Sequence, residues 1–145
     1  MDDRSLSIKK DHSLKFKDAP KEWKRKSNEK AQSFFTNGKG SVFYANSYCA
    51  NYYDKPLKGL ALEHIQQLGD EIKIENQRER SVRGLKGLYS KIAATYEGRP
   101  VFLRHFGFKL DDCYYDLNGI SPSREQIELF FDQFLEAMEV KEVKQ

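Results

Sequence analysis

The feature that most constrains this chain is the stretch of residues 88–120, which two short turn signals divide into strand-like runs. The runs are rich in aromatic and β-branched side chains, which favour a pleated, half-buried surface. There are three of them: residues 88–96, 101–110 and 113–120. Gly98 and Pro100 mark the first break and Asp111 and Asp112 the second, because these residue types favour turns over strand ladders. The pattern predicts three antiparallel strands joined by two tight hairpins.

Both faces of these strands carry large side chains. Successive side chains of a strand point to opposite faces, so Leu103 and His105 share one face, while Phe102, Arg104 and Phe106 share the other. Because neither face is purely polar, we expect the sheet to be at least partly covered on both sides.

An apolar stripe with helical spacing follows the three runs. Its members are Ile127, Phe130, Phe131, Phe134, Leu135 and Met138. Ser123 and Gln126 precede it at the spacing of a capping box. We expect this helix to dock on the sheet, because a continuous stripe of this kind must be buried.

The rest of the chain predicts one more helix and further strands. The strand-like segments are residues 14–17, 22–26, 31–36, 41–49 and 71–80. Asp54 is the expected N-cap of a helix that Gly69 ends. The charged segment 71–80 is expected at a sheet edge. The order of elements predicts an α+β fold, in which a single antiparallel sheet is flanked by two main helices.

Length and composition indicate one soluble domain. The chain has 145 residues, of which 32% are charged and 39% hydrophobic. Residues 1–13 are predicted to be a disordered tail or linker, residues 14–140 the domain, and residues 141–145 a frayed end. No run approaches the ~18 apolar residues that a membrane span needs.

Positive charge is concentrated near the start of the chain. The first thirty residues hold ten Lys/Arg and six Asp/Glu, whereas the remainder holds fifteen and sixteen. Nucleic-acid binding would require a basic stripe with aromatic residues. Because the remainder of the chain is slightly acidic, we expect no nucleic-acid partner.

The start of the chain bears on location. Met1 is followed by acidic residues and not by a signal peptide. The protein is therefore either cytoplasmic or a mature form from which a leader has been removed.

Several segments together resemble a known fold. Phe16, Pro20 and Trp23 open the chain, and a hairpin leads to an N-S-x-C segment at residues 46–49. A helix, three meandering strands and an amphipathic helix follow. These features, over residues 14–138, resemble the PsbP-like fold, an antiparallel sheet between helices. With a D-x-C-x-Y-D segment at residues 111–116, the chain resembles small uncharacterised bacterial envelope lipoproteins more closely. The resemblance implies a periplasmic or outer-envelope protein anchored through a removed leader, and it transfers no catalytic residue.

Cys49 and Cys113 are the two cysteines, each at the end of a predicted strand. If the two strands are antiparallel neighbours, these ends coincide and a disulfide bond is possible. Such a bond would place the protein outside the cytosol. The alternative is two unrelated thiols in a cytoplasmic protein. A Cys–His nucleophile pair of Cys49 with His64 or His105 is a weaker alternative.

The sequence leaves two functions open. The first is a non-enzymatic envelope binding or assembly module with a protein partner. Its possible contact surface is Tyr48, Tyr52, Tyr53 and Arg99. The second is a small-molecule binder or hydrolase with a pocket near Arg104, His105 and Asp116. We expect no cofactor and no metal, because the three histidines lie far apart in the sequence.

Overall fold

The computed structural model describes residues 12–16, 20, 22–26, 33–49, 55–111 and 113–142. In this part of the chain there are nine strands and two helices. They are β1 (His12–Phe16), β2 (Lys24–Arg25), β3 (Ser33–Thr36), β4 (Val42–Cys49), α1 (Leu57–Ile65), β5 (Asp70–Val82), β6 (Leu85–Tyr96), β7 (Arg99–Leu110), β8 (Cys113–Ser121), α2 (Arg124–Ala137) and β9 (Met138–Glu142). Neither helix has the length and apolar character that would let it cross a membrane.

Seven of the strands form one antiparallel sheet in the order β2-β3-β4-β8-β7-β6-β5. The three runs predicted from residues 88–120 are neighbours in its middle, as β6, β7 and β8. Their hairpins use positive φ at Gly98 (79°) and Asp111 (56°), which glycine and aspartate tolerate better than most residues. The charged strand β5 lies at an edge, as predicted. The α+β fold class with a single main sheet and two helices is confirmed.

Helix α2 covers one face of the sheet with a phenylalanine-rich stripe. Its buried residues are Ile127, Phe130, Phe131, Phe134 and Leu135. The Ser123 side chain accepts a hydrogen bond from the Gln126 N–H at 3.2 Å, which confirms the predicted cap. A Cβ atom added at Gly119 would lie 2.7 Å from Cδ1 of Phe131, so the missing side chain lets the helix approach β8 closely. The predicted docking of this helix is confirmed.

Helix α1 covers only part of the opposite face, where it packs against β6, β7 and β8. The apolar cluster beneath it contains Ile65, Ile92, Ala94 and Leu103. The helix starts after Pro56 and ends at Ile65, so the prediction that Gly69 ends it was wrong. The chain leaves the helix earlier because the N–H of Leu68 donates to the Ile65 carbonyl in a tighter turn, at 3.0 Å. The predicted N-cap, Asp54, lies outside the described residues.

The two ends of the described chain form a separate ribbon. Strand β1 pairs with β9 and not with the main sheet. Met138 therefore ends α2 and begins β9, whereas the sequence placed it in the helical stripe. The strands start at His12 and run to Glu142, beyond the expected bounds of the domain. Leu14 holds the ribbon on the core, since only 4% of it is exposed. Residues 1–11 and 143–145 lie outside the described part.

Candidate functional site

Cys49 and Cys113 are joined by a disulfide bond. The register places the last residue of β4 opposite the first residue of β8, with the two Cα atoms 4.1 Å apart. The predicted pairing is therefore confirmed. Because its sulfur is in this bond, Cys49 cannot supply the thiolate of a Cys–His nucleophile pair. Disulfide bonds persist in oxidising compartments, so this one favours an extracytoplasmic location.

Arg104 lies apart from the residues with which it was grouped. Strand alternation places it on the face that α2 covers, whereas His105 and Asp116 lie on the face that α1 covers. The guanidinium is 1% exposed and forms an ion pair with Glu128 of α2. It also donates to the Leu103 carbonyl at 3.2 Å. The predicted grouping of Arg104 with His105 and Asp116 was wrong, because the sheet separates them.

A polar row crosses five neighbouring strands on the face covered by α1. It consists of Tyr44, Asn118, His105, Ser90 and Gln77. The Gln77 amide donates to the Ser90 hydroxyl at 2.9 Å, and the Asn118 amide donates to the Asp116 carboxylate at 2.9 Å. The Asp116 carboxylate is also hydrogen-bonded to Nε2 of His105. Hydrogen bonds thus connect most of the row, in part through Asp116.

Asp116 supplies the buried negative charge of this region. Burial raises the pKa of its carboxyl, but the charge of His105 and the hydrogen bonds from His105 and Asn118 outweigh burial and hold the pKa below its ordinary value. Burial and the charge of Asp116 raise the pKa of Tyr44 and of Tyr114. The carboxyl and the two phenols are thus shifted away from neutrality, whereas general acid–base catalysis favours pKa values near the working pH.

Helix α1 closes this region from above. The His64 ring lies 4.9 Å from the ring of Tyr114 and 4.7 Å from that of Tyr48, measured between centroids. Its Nδ1–H donates to the Leu60 carbonyl at 2.8 Å. His105 is 0% exposed and Asp116 3% exposed. Both side chains are therefore buried, and a pocket beside them stays a prediction.

An open cleft lies at the other end of the same face. It has a volume of about 690 Å³, within the ~300–1,000 Å³ of typical small-molecule sites. Its apolar lining includes Phe34, Val42, Tyr44, Leu68, Tyr96, Pro100, Val101, Ile120 and Pro122. Tyr44 also belongs to the polar row, so the row begins at the inner end of the cleft. We refer to this feature below as the cleft.

Sequence reasoning did not find the cleft, because its residues come from separate segments of the chain. The sequence shows that Val101 and Ile120 continue the apolar face of their strands. It does not show that α1 ends after nine residues, which leaves part of that face uncovered. Uncovered apolar strand positions next to a short helix indicate either a cleft or an interface.

The predicted contact residues fall into different places. Tyr48 is half-buried, and its ring lies 6.3 Å from that of Tyr114, stacked on it. Arg99 is exposed and lines the cleft. Tyr52 and Tyr53 lie outside the described residues, so their part in a contact surface stays a prediction. Among the described residues, no group of three His, Cys, Asp or Glu side chains is placed to hold a metal ion.

The fold is PsbP-like. The structure is similar to cyanobacterial PsbP (CyanoP) from Synechocystis, with a TM-score of 0.62 and 8% identity over 97% of this chain and 98% of that one. It is similar to LpqN of Mycobacterium tuberculosis, described as involved in cell envelope biogenesis, with a TM-score of 0.63 and 8% identity over 91% and 85%. It is also similar to a Pseudomonas aeruginosa protein of unknown function, described as a putative regulator, with a TM-score of 0.52 and 14% identity over 88% of this chain and 81% of that one.

These similarities confirm the fold that the sequence resembled, and one of the similar structures is described as involved in cell envelope biogenesis. Identities this low carry the fold alone. No protein-family model matches the chain, and no curated protein sequence matches it.

Proposed function

We propose that this protein is a non-enzymatic binding or assembly module of the bacterial cell envelope, working in the periplasm or outer envelope. The observation that carries the proposal is the Cys49–Cys113 disulfide bond between neighbouring strands of the sheet. An oxidising compartment is where such a bond forms and persists. The envelope role given for the structurally similar LpqN supports the same location. A lipid anchor belongs to the proposal through the resemblance to envelope lipoproteins.

The arrangement of the polar side chains supports a non-enzymatic role. His105 and Asp116, the side chains best suited to acid–base catalysis, are buried beneath α1. Arg104 is on the other side of the sheet. A general base must come within hydrogen-bond reach of a substrate proton. A buried, mutually paired histidine and aspartate fit a structural network better than a reaction centre. The protein partner expected in the envelope stays a prediction.

The cleft favours small-molecule binding as a second candidate function. Its size suits a ligand, and Tyr96, which is 59% exposed, borders it as an uncovered aromatic ring. The cleft is distinct from the predicted pocket near Arg104, His105 and Asp116, because none of these three residues is in its described lining.

The location is tested in cells that express the complete gene. Cells are fractionated, and thiols are trapped with acid and then alkylated with a mass tag before and after reduction. We expect the protein in the envelope fraction, with no tag before reduction and two tags after it. A Cys49→Ser, Cys113→Ser variant, which takes no tag, is the matched control. Two tags without reduction, or a protein confined to the cytoplasmic fraction, would contradict the proposal.

A further inference from the structure

The cleft has an apolar floor and an open mouth. Val42 of β4 pairs with Ile120 of β8 in the sheet register. Val101 of β7 lies on the same face, two residues from Leu103, which is the partner of Ile120. This is the face that α1 covers. Leu68, just beyond α1, and Tyr96, at the end of β6, border this floor. Aliphatic side chains without hydrogen-bonding groups complement a hydrocarbon surface, whereas a sugar would leave its hydroxyls unpaired there.

Basic side chains lie in the cleft and elsewhere on the same face of the sheet. Arg99 is exposed in its lining. Lys24 pairs with Thr36 in the sheet register, and Thr36 pairs with Val42, so Lys24 projects from the same face as the cleft floor. Lys26, two residues along, lies on that face as well, because its N–H bonds to the Phe34 carbonyl. Within the described lining the charged residues are Arg99 and Glu97, whereas Lys24 and Lys26 lie outside it, at the β2 edge of the sheet.

We propose that the cleft binds a single-chain anionic amphiphile, whose hydrocarbon chain lies on the apolar floor and whose headgroup faces Arg99. Carboxylate and phosphate headgroups share this chemistry, and both free amphiphiles and membrane lipids carry them. The inference deepens the ligand-binding candidate above, but it does not depend on where the protein resides. Purified protein is therefore sufficient to test it, and failure here leaves the envelope proposal standing.

The test uses three probes with the same ten-carbon chain: decanoate, decyl maltoside and decyltrimethylammonium. Affinities are measured by calorimetry below micelle formation, and binding is mapped by amide chemical shifts. We expect decanoate to bind most tightly and the cationic probe to bind most weakly, by about fivefold or more at low salt. Shifts should be confined to the residues around the cleft. Equal affinity for all three probes would overturn the anionic assignment.

Variants separate the floor from the rim. Val101→Glu places a charge on the floor and should abolish decanoate binding. Tyr96→Ala, an exposed change that the fold tolerates, should weaken it by about three- to tenfold. Leu129→Ala is the matched control, because Leu129 is also 59% exposed but lies on α2. Arg99→Glu should reduce the preference for decanoate over decyl maltoside, whereas Lys86→Glu should not.

Two further measurements check that the variants are folded and identify the source of the ligand. Amide dispersion shows whether each variant is folded; if Val101→Glu unfolds, the Tyr96→Ala result decides. Sedimentation with vesicles of phosphatidylglycerol, compared with phosphatidylcholine, separates the two sources. If the protein co-sediments with the anionic vesicles, the ligand is a membrane lipid. If it binds decanoate but does not co-sediment, the ligand is a free amphiphile. Two results would refute the proposed site. One is a set of decanoate-induced amide shift changes spread over the α2 face, and the other is an unaltered decanoate affinity in both Val101→Glu and Tyr96→Ala.

Discussion

Removing the disulfide bond is the perturbation whose effect follows most directly from the structure. Cys49 and Cys113 are 64 residues apart in sequence. Closing a loop of that length removes entropy from the unfolded chain worth about 4 kcal/mol at 25 °C. Domains of this kind are stable by only ~5–15 kcal/mol. The Cys49→Ser, Cys113→Ser variant should therefore lose a large share of its stability and still fold.

Equilibrium urea unfolding measures the loss. With a slope near ~2 kcal/mol/M, 4 kcal/mol corresponds to a midpoint lower by about 2 M. Oxidised protein, reduced protein and the double serine variant are compared at one pH. We expect the reduced protein and the variant to unfold at the same midpoint. Reductant should not move the midpoint of the variant, which is the control.

Two results would refute this reasoning. One is a pair of titratable thiols in the denatured protein before any reductant is added. The other is a reduced protein whose midpoint matches that of the oxidised protein, because loop closure would then not limit the unfolded state. A change in slope along with the midpoint would instead assign part of the effect to a more compact unfolded chain.

Three further substitutions test the packing and the buried charges. Gly119→Ala should cost about 1–3 kcal/mol in urea unfolding, since its Cβ would lie 2.7 Å from Cδ1 of Phe131; a neutral result would mean that α2 does not sit this close to the sheet. Asp116→Asn should destabilise the protein at neutral pH and make its free energy of unfolding depend less steeply on pH in the acidic range. The folded-state pKa of this carboxyl lies below the unfolded value despite burial, so its contribution is full above about pH 4 and is lost as the pH falls through the folded pKa; an unchanged pH dependence would contradict this. Arg104→Met should change stability by less than about 1 kcal/mol or raise it, because the variant buries no charge and leaves the half-exposed Glu128 solvated; a loss above about 3 kcal/mol would show that the ion pair is strongly stabilising.

Local pattern was sufficient for most of the fold. The turn residues around Gly98 and Asp111 and the capping Ser123 act within a few residues of themselves, so their effects are readable in one dimension. Strand alternation alone likewise assigns Arg104 and His105 to opposite faces of β7. The sequence made the disulfide possible by placing both cysteines at strand ends, and the antiparallel pairing of β4 with β8 met the remaining condition.

The candidate site was less predictable. The polar row needs the register of five strands at once, and no segment of the chain contains more than one of its members. His105 and Asp116, expected on neighbouring strands, do meet, but Arg104 was grouped with them although it lies on the other side of the sheet. The cleft depends on where α1 stops, and its end at Ile65 is set by a tight turn that helical periodicity does not show.

The amino-acid sequence by itself determined which segments become strands and helices, which faces are apolar, and that two cysteines stand at strand ends. Those properties depend on side-chain alternation, helical spacing and turn chemistry, all of which act over a few residues. Tertiary structure alone decided that β1 pairs with β9, that His105 and Asp116 are buried under α1, and that an apolar cleft is left open near Arg99. These outcomes depend on strand register and on the reach of a short helix, and both are settled only when distant segments pack together.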